Sequence, residues 1–153
     1  MSLTKIIIIF LIIILLFGGI LFFQFSKIST PTSKVTIKNQ TFLVDVAKSP
    51  SELEKGLSKR KSLPKNQGML FIFDHPDDYA FWMKQMEFPL DIIFIKNDKI
   101  VSVAENVKPP ASENENLPTY HPTKPSDKVL EINAGLFKKY NFKAGDTVKM
   151  EFK

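Results

Sequence analysis

Eighteen consecutive residues from Ile6 to Phe23, IIIIFLIIILLFGGILFF, carry no charge and no polar side chain. At about 1.5 Å per residue a helix of this length covers about 27 Å, close to the hydrocarbon thickness of a bilayer. A core helix of a soluble protein normally keeps one polar face, so the run predicts a transmembrane helix. A cleavable signal peptide is the competing reading. Its apolar region would be about 7–15 residues, followed by a small-x-small cleavage site. The run here is longer, and the following QFSKISTPTSK offers Ser26 and Ser29 but no Ala-x-Ala. The chain has no cysteine, which excludes attachment through a lipidated one. Residues 1–25 are therefore expected to be an uncleaved anchor, with secretion after signal cleavage as the alternative.

Orientation is less constrained. Lys5 and the terminal amine precede the apolar run, whereas Lys27, Lys34 and Lys38 follow it. Counting positive charges alone places the C-terminal side in the cytoplasm. A short anchor ahead of one folded domain behaves instead like a signal sequence, and large domains translocate regardless of charge. The expectation is a single-pass membrane protein with its C-terminal domain outside the cytoplasm. The absence of cysteine fits either compartment.

After a polar linker, residues 26–34, the remaining residues 35–153 are enough for one modest core. VTIKNQTFLVDVA (Val35–Ala47) predicts a hairpin interrupted at Asn39-Gln40. In SPSELEKGLSKR, Ser49 is a candidate N-cap, Pro50 suits the first helical position and Glu52 completes a capping box. GMLFIF (Gly68–Phe73) and DIIFI (Asp91–Ile95) are apolar on both faces, the pattern of central strands covered on both sides. KIVSVAE follows DIIFI after the turn KND. DKVLEIN alternates Leu130 and Ile132 against Val129 and Glu131, and TVKMEF alternates around Val148, Met150 and Phe152. Between the last two strands, a short helix stops at Asn141 with Phe142 packing back. The expected fold is mainly β (α+β): a compact antiparallel β-barrel or sandwich of about seven or eight strands with two short helices, after one N-terminal transmembrane helix. Within it, Asn106–Ser126 holds five prolines and almost no apolar side chains. Loops of this length tend to be functional or disordered.

Charge does not point to a polyanionic partner. The chain carries 21 Lys and Arg against 16 Asp and Glu, interspersed rather than clustered. The densest basic stretch, Lys55–Lys65, fits a solvated helix end better than a surface for anionic lipid or nucleic acid. The aromatics lack the paired spacing of a base-stacking sheet, so nucleic acid is not an expected partner. There is no Gly-rich phosphate loop and no Gly-x-Ser-x-Gly. Two histidines, His75 and His121, and no cysteine leave little with which to build a zinc site. No metal and no cofactor are expected. The acids of DHPDD (Asp74–Asp78) match no calcium-loop spacing, and an exposed acidic turn is the simpler reading.

Several stretches together resemble one family. GLSKR, GMLFIF, FWMK, PLDIIFI, VLEINAG and a closing AGD-x-V occur in that order. The set resembles the domain of unknown function 192 (DUF192, also UPF0127) over essentially Val35–Phe152. The resemblance implies a small, mostly β domain with no established biochemical activity, often behind an N-terminal signal or anchor. This chain departs from the family pattern at two places. Ser58 stands where the family usually has methionine, and Gln85-Met86 where it usually has Asn-Thr. Any shared chemistry using the threonine hydroxyl is put in doubt here.

The candidate site residues are Arg60, Trp82, Lys84, Asp91, Tyr120 and His121. Trp82 is the chain's only tryptophan. Strand alternation in FWMK sends Phe81 and Met83 to one face and Trp82 and Lys84 to the other, pairing an apolar plate with a cation. Core packing of Trp82 with Lys84 reaching to solvent is the simpler alternative. Asp91 opens a buried strand and must find donors there, because burying it unpaired is very costly. It either pairs with Arg60 or Lys84 at a ligand site or caps the Pro89-Leu90 turn through backbone N–H groups. Tyr120 and His121 lie in the proline-rich loop, expected to cover the site. The leading expectation is a membrane-anchored binding module for a small ligand or a protein or peptide partner. The alternatives are a hydrolase or lyase using Asp91 and His121 as acid and base, and a structural or assembly factor without a pocket.

Overall fold

The structure is a computed structural model that describes residues 33–112 and 117–153. The expected anchor at residues 6–23 and most of the linker lie outside the described residues. Among those described, no helix is long and apolar enough to cross a membrane.

Seven strands form one curled half-barrel sheet. They are β1 (Ser33–Ile37), β2 (Gln40–Ala47), β3 (Gln67–Asp77), β4 (Leu90–Lys96), β5 (Lys99–Val107), β6 (Ser126–Asn133) and β7 (Val148–Glu151), in the spatial order β5-β4-β6-β3-β2-β1-β7. Two short helices, α1 (Pro50–Lys55) and α2 (Leu136–Lys139), complete the domain. The sequence predicts an antiparallel sheet, and one pair departs from that: β2 and β3 run parallel, with Val44 opposite Gly68 and Val46 opposite Leu70. A parallel pair needs a long crossover. Residues 48–66 supply it, and α1 lies within it. The two ends of the sheet meet where Lys99 bridges Thr147 and Val148 N donates to Asp98 O at 2.9 Å.

Local signals account for the elements. Ser49 Oγ accepts from Glu52 N while Glu52 Oε2 accepts from Ser49 N, the reciprocal pair expected at the start of α1. Asn97 and Asp98 both take positive φ (50° and 55°), which turns β4 into β5. Asn141 takes the left-handed stop after α2 (φ 53°), and Phe142 packs back into the core. Gly68 in β3 is required by a close approach, since a Cβ there would lie 2.6 Å from the Glu131 carbonyl oxygen.

Strands β3, β4 and β6 are covered on both faces and so separate two hydrophobic layers. The inner layer, within the curl, gathers Val35, Phe42, Leu70, Ile93, Leu130, Ile132 and the α2 residues Leu136 and Phe137. The outer layer gathers Met69, Phe71, Ile92, Phe94 and Val129, covered by Leu57, Leu63, Met83, Met86 and Phe88. Two expectations are corrected. The acidic stretch after Phe73 is the exposed end of a long β3 rather than a turn. FWMK is not a strand: Phe81 makes one isolated bridge to Tyr120, and the chain then runs irregularly to Leu90. The cause is packing. Met83, Met86 and Phe88 each turn down onto the outer layer, a spacing no strand can provide.

Candidate functional site

The outer layer is covered by two irregular segments that come together over β3 and β6. Asn133 Nδ2 donates to Leu63 O at 2.9 Å, tying the crossover to the end of β6. Lys59 N donates to Gln85 O at 2.9 Å, joining the crossover to the segment after Phe81. Gly56 lets the chain leave α1 against Phe71: it has φ 47°, and a Cβ there would lie 3.2 Å from Phe71 Cζ. Between the two segments a cleft of about 140 Å³ remains open to solvent.

Its walls are aromatic. Phe71 and Phe81 meet edge to face with centroids 5.0 Å apart, and Phe73 stacks on Tyr79 at 3.6 Å. Trp82, half exposed, stands at the mouth with Lys84 Nζ 5.3 Å from its ring centroid, a cation–π geometry. Lys55 and Ser58 line the opposite rim, and Glu131 lines the interior.

Glu131 is the group that the sequence reading did not single out. On β6 it stands opposite Met69 of β3 and Ile92 of β4. It is 4% exposed, and its Oε2 has no hydrogen-bond partner. Burial pushes its carboxyl up to about 8, against a smaller downward pull from the nearby Arg60 guanidinium. At neutral pH this side chain is therefore largely the neutral acid, with an O–H to donate. Its buried neighbours on this layer, Met69, Phe71, Ile92, Phe94 and Val129, are apolar. The alternation in DKVLEIN already put Glu131 opposite Leu130 and Ile132. The missing step was that β3 and β4 are apolar on both faces, so a strand between them is covered on both faces too.

The six residues expected at a site separate into three groups. Trp82 and Lys84 line the cleft. Arg60 and Tyr120 stand behind it. Arg60 Nη2 bonds Asp45 Oδ2 at 2.8 Å, and Tyr120 pairs with Phe81 through two backbone hydrogen bonds (2.9 and 2.8 Å) and packs on the outer layer. Asp91 and His121 are elsewhere. Asp91 is fully buried and points into the inner layer, where Oδ1 accepts from Asn106 N and Oδ2 from Phe137 N, both at 2.8 Å. It pairs with neither Arg60 nor Lys84 and does not cap the Pro89-Leu90 turn; it fastens β5 and the start of α2 to β4. His121 is on the surface, with Nδ1 2.9 Å from Asp78 Oδ1 and Nε2 3.1 Å from Thr119 Oγ1. It shares no hydrogen-bond partner with Asp91. Among the described residues, no group of three His, Asp or Glu is placed to hold a metal ion.

The fold and cleft define a small, curled β domain with a half-open pocket on its outer face. Residues 33–150 match the DUF192 family, described as Uncharacterized ACR. The chain belongs to that family. Two solved structures are similar to it. One is a protein of unknown function from Novosphingobium aromaticivorans DSM 12444, 34% identical, with a TM-score of 0.67 over 76% of this chain and 83% of that one. The other is a provisionally assigned transcription regulator from Sinorhizobium meliloti 1021, 30% identical, with a TM-score of 0.70 over 82% of this chain and 98% of that one. No curated protein matched.

Proposed function

We propose that this domain is a small-ligand binding module. In this reading residues 6–23 hold it at a membrane, the domain lies outside the cytoplasm, and the ligand enters the cleft above Glu131. The observation that carries the reading is the buried Glu131 carboxyl, whose Oε2 has no partner, among the apolar side chains Met69, Phe71, Ile92 and Val129. Leaving a buried polar group unsatisfied costs about 1–3 kcal/mol, and a leucine at this position would avoid that cost. A cleft that opens directly onto the carboxyl gives it a partner when a ligand arrives. Aromatic walls with a few convergent polar groups are the usual make-up of small-molecule pockets.

Trp82 is the chain's only tryptophan and stands at the mouth, so its fluorescence reports on the cleft in the full-length chain. A screen of sugars, short peptides, nucleotides and small organic acids and amines in mild detergent should give at least one saturable change. Occupation at about 100 times the dissociation constant should also stabilise the fold by about 2.7 kcal/mol. A flat response in both measurements overturns the binding reading. The membrane part is tested separately, by protease treatment of intact cells. Cleavage of the domain without lysis is expected; full protection would overturn the extracytoplasmic assignment.

A further inference from the structure

The charge around the cleft narrows the class of ligand, on the binding reading just given. Lys55 and Lys84 line its rim. A groove of about 320 Å³ continues from the rim, sharing Lys55, Trp82 and Lys84 and adding Lys59. Against these three ammonium groups the rim offers one acid, Glu54. Arg60 sits beside Glu131 and is held by Asp45. The remaining titratable group of the lining, Tyr79, is tied through its O–H to His75 O at 3.0 Å. The potential at the mouth is therefore positive, while the interior presents a neutral hydrogen-bond donor. The volume suits one ring: an apolar cavity of about 150 Å³ takes a benzene.

We propose that the cleft binds a small aromatic monoanion, with its ring between Phe71, Phe81 and Trp82, a hydrogen-bond acceptor on the inner end of the ring at Glu131, and its carboxylate at the mouth between Lys55 and Lys84. An organic cation, the other ligand that an aromatic cleft with an acid suggests, meets two disadvantages here. It must pass three lysines, and it must draw the proton off a carboxyl that burial keeps neutral. Lys84 already occupies the cation's place over Trp82.

Three probes of one shape, each with a methoxy oxygen that accepts and cannot donate, test this: 4-methoxyphenylacetate, its neutral amide 4-methoxyphenylacetamide, and the cation 4-methoxyphenethylamine. Binding to the full-length chain is followed by Trp82 fluorescence and by calorimetry, because substitutions near Trp82 alter its emission. The acid is expected to bind at least about fivefold more tightly than the amide, a difference of about 1 kcal/mol, and the amine more weakly still. Lys84→Ala should bring acid and amide to near equality. Raising the pH past about 8 should weaken the acid's binding to the wild type, as Glu131 ionises and loses its donor. Glu131→Gln keeps an N–H donor and should remove that pH dependence. The amine or the amide binding as tightly as the acid would overturn the charge assignment and leave the binding reading standing. Failure of all three probes, with other ligands positive in the broad screen, does the same. A wild type whose binding of the acid is unchanged between about pH 7 and 9 overturns the role of Glu131.

Discussion

Asp91 and Glu131 lie on neighbouring strands, Asp91 opposite Ile132 and Glu131 opposite Ile92, and both are withdrawn from water. They face opposite layers of the same sheet and meet opposite conditions. Asp91 has a backbone N–H on each oxygen, from two different elements. Glu131 has an oxygen with none. A buried carboxylate fully met by donors ties a structure together. One left without donors sheds its charge and remains available. Burial alone therefore does not tell the two acids apart; the count of donors does.

The comparison breaks most severely at Asp91. Asp91→Ala leaves the N–H groups of Asn106 and Phe137 without acceptors, and the expected loss is about 3–5 kcal/mol. Chemical denaturation measures it, and a loss below about 1 kcal/mol would put Asp91 and Glu131 on the same footing.

Next comes Glu131 itself, through pH. Its folded value of about 8 lies above the ordinary 4.5, so between the two the folded state binds more protons than the unfolded state. Stability is then fullest at the acid end, falls as pH rises through that window, and levels off above about 8. Glu131→Leu should flatten this contribution and raise stability at pH 9 by about 2–4 kcal/mol. Thermal melts at pH 5 and pH 9 compare the two, and an equal pH response in both proteins would exclude Glu131 as its source.

Arg60→Ala sharpens the same point more gently. Losing a half-buried ion pair with Asp45 should cost about 1 kcal/mol, and the Glu131 midpoint, followed by carboxyl NMR shifts, should move further up. A downward move would mean that Arg60 does not reach Glu131. The smallest effect belongs to His121→Ala. Its partners Asp78 and Thr119 are both exposed, so stability should change by less than about 0.5 kcal/mol, and binding of the acid probe should be unaltered.

Much of the sheet could be read from the chain because its cues are local. The capping box at Ser49, the left-handed Asn141 and the two-faced strands GMLFIF and DIIFI each depend on a few adjacent residues. The parallel β2–β3 pairing could not be read this way, since the crossover between them holds only one short helix and looks like an ordinary connection. Trp82 and Lys84 were legible at the cleft because Met83 between them is drawn into the core, although the backbone there is not a strand. Asp91 drew attention for a sound reason, a charge at the head of an apolar run, but its donors are backbone N–H groups that no sequence pattern marks. Glu131 escaped because its polarity looked like the solvent side of an alternating strand. What covers that side is contributed by residues 48–66 and 79–89, far away in the chain.

The crossover also bears on how such a domain can change over time. Helix α1 buries none of its residues, and the segment touches the sheet chiefly through Leu57 and Leu63. The rim of the cleft is thus built from the part of the domain least committed to holding it together. Substitutions at Ser51, Lys55, Ser58 or Lys59 would redraw the lining of the cleft and its groove at little expense to the fold. The sheet below, with Glu131 on it, is left unchanged by such substitutions.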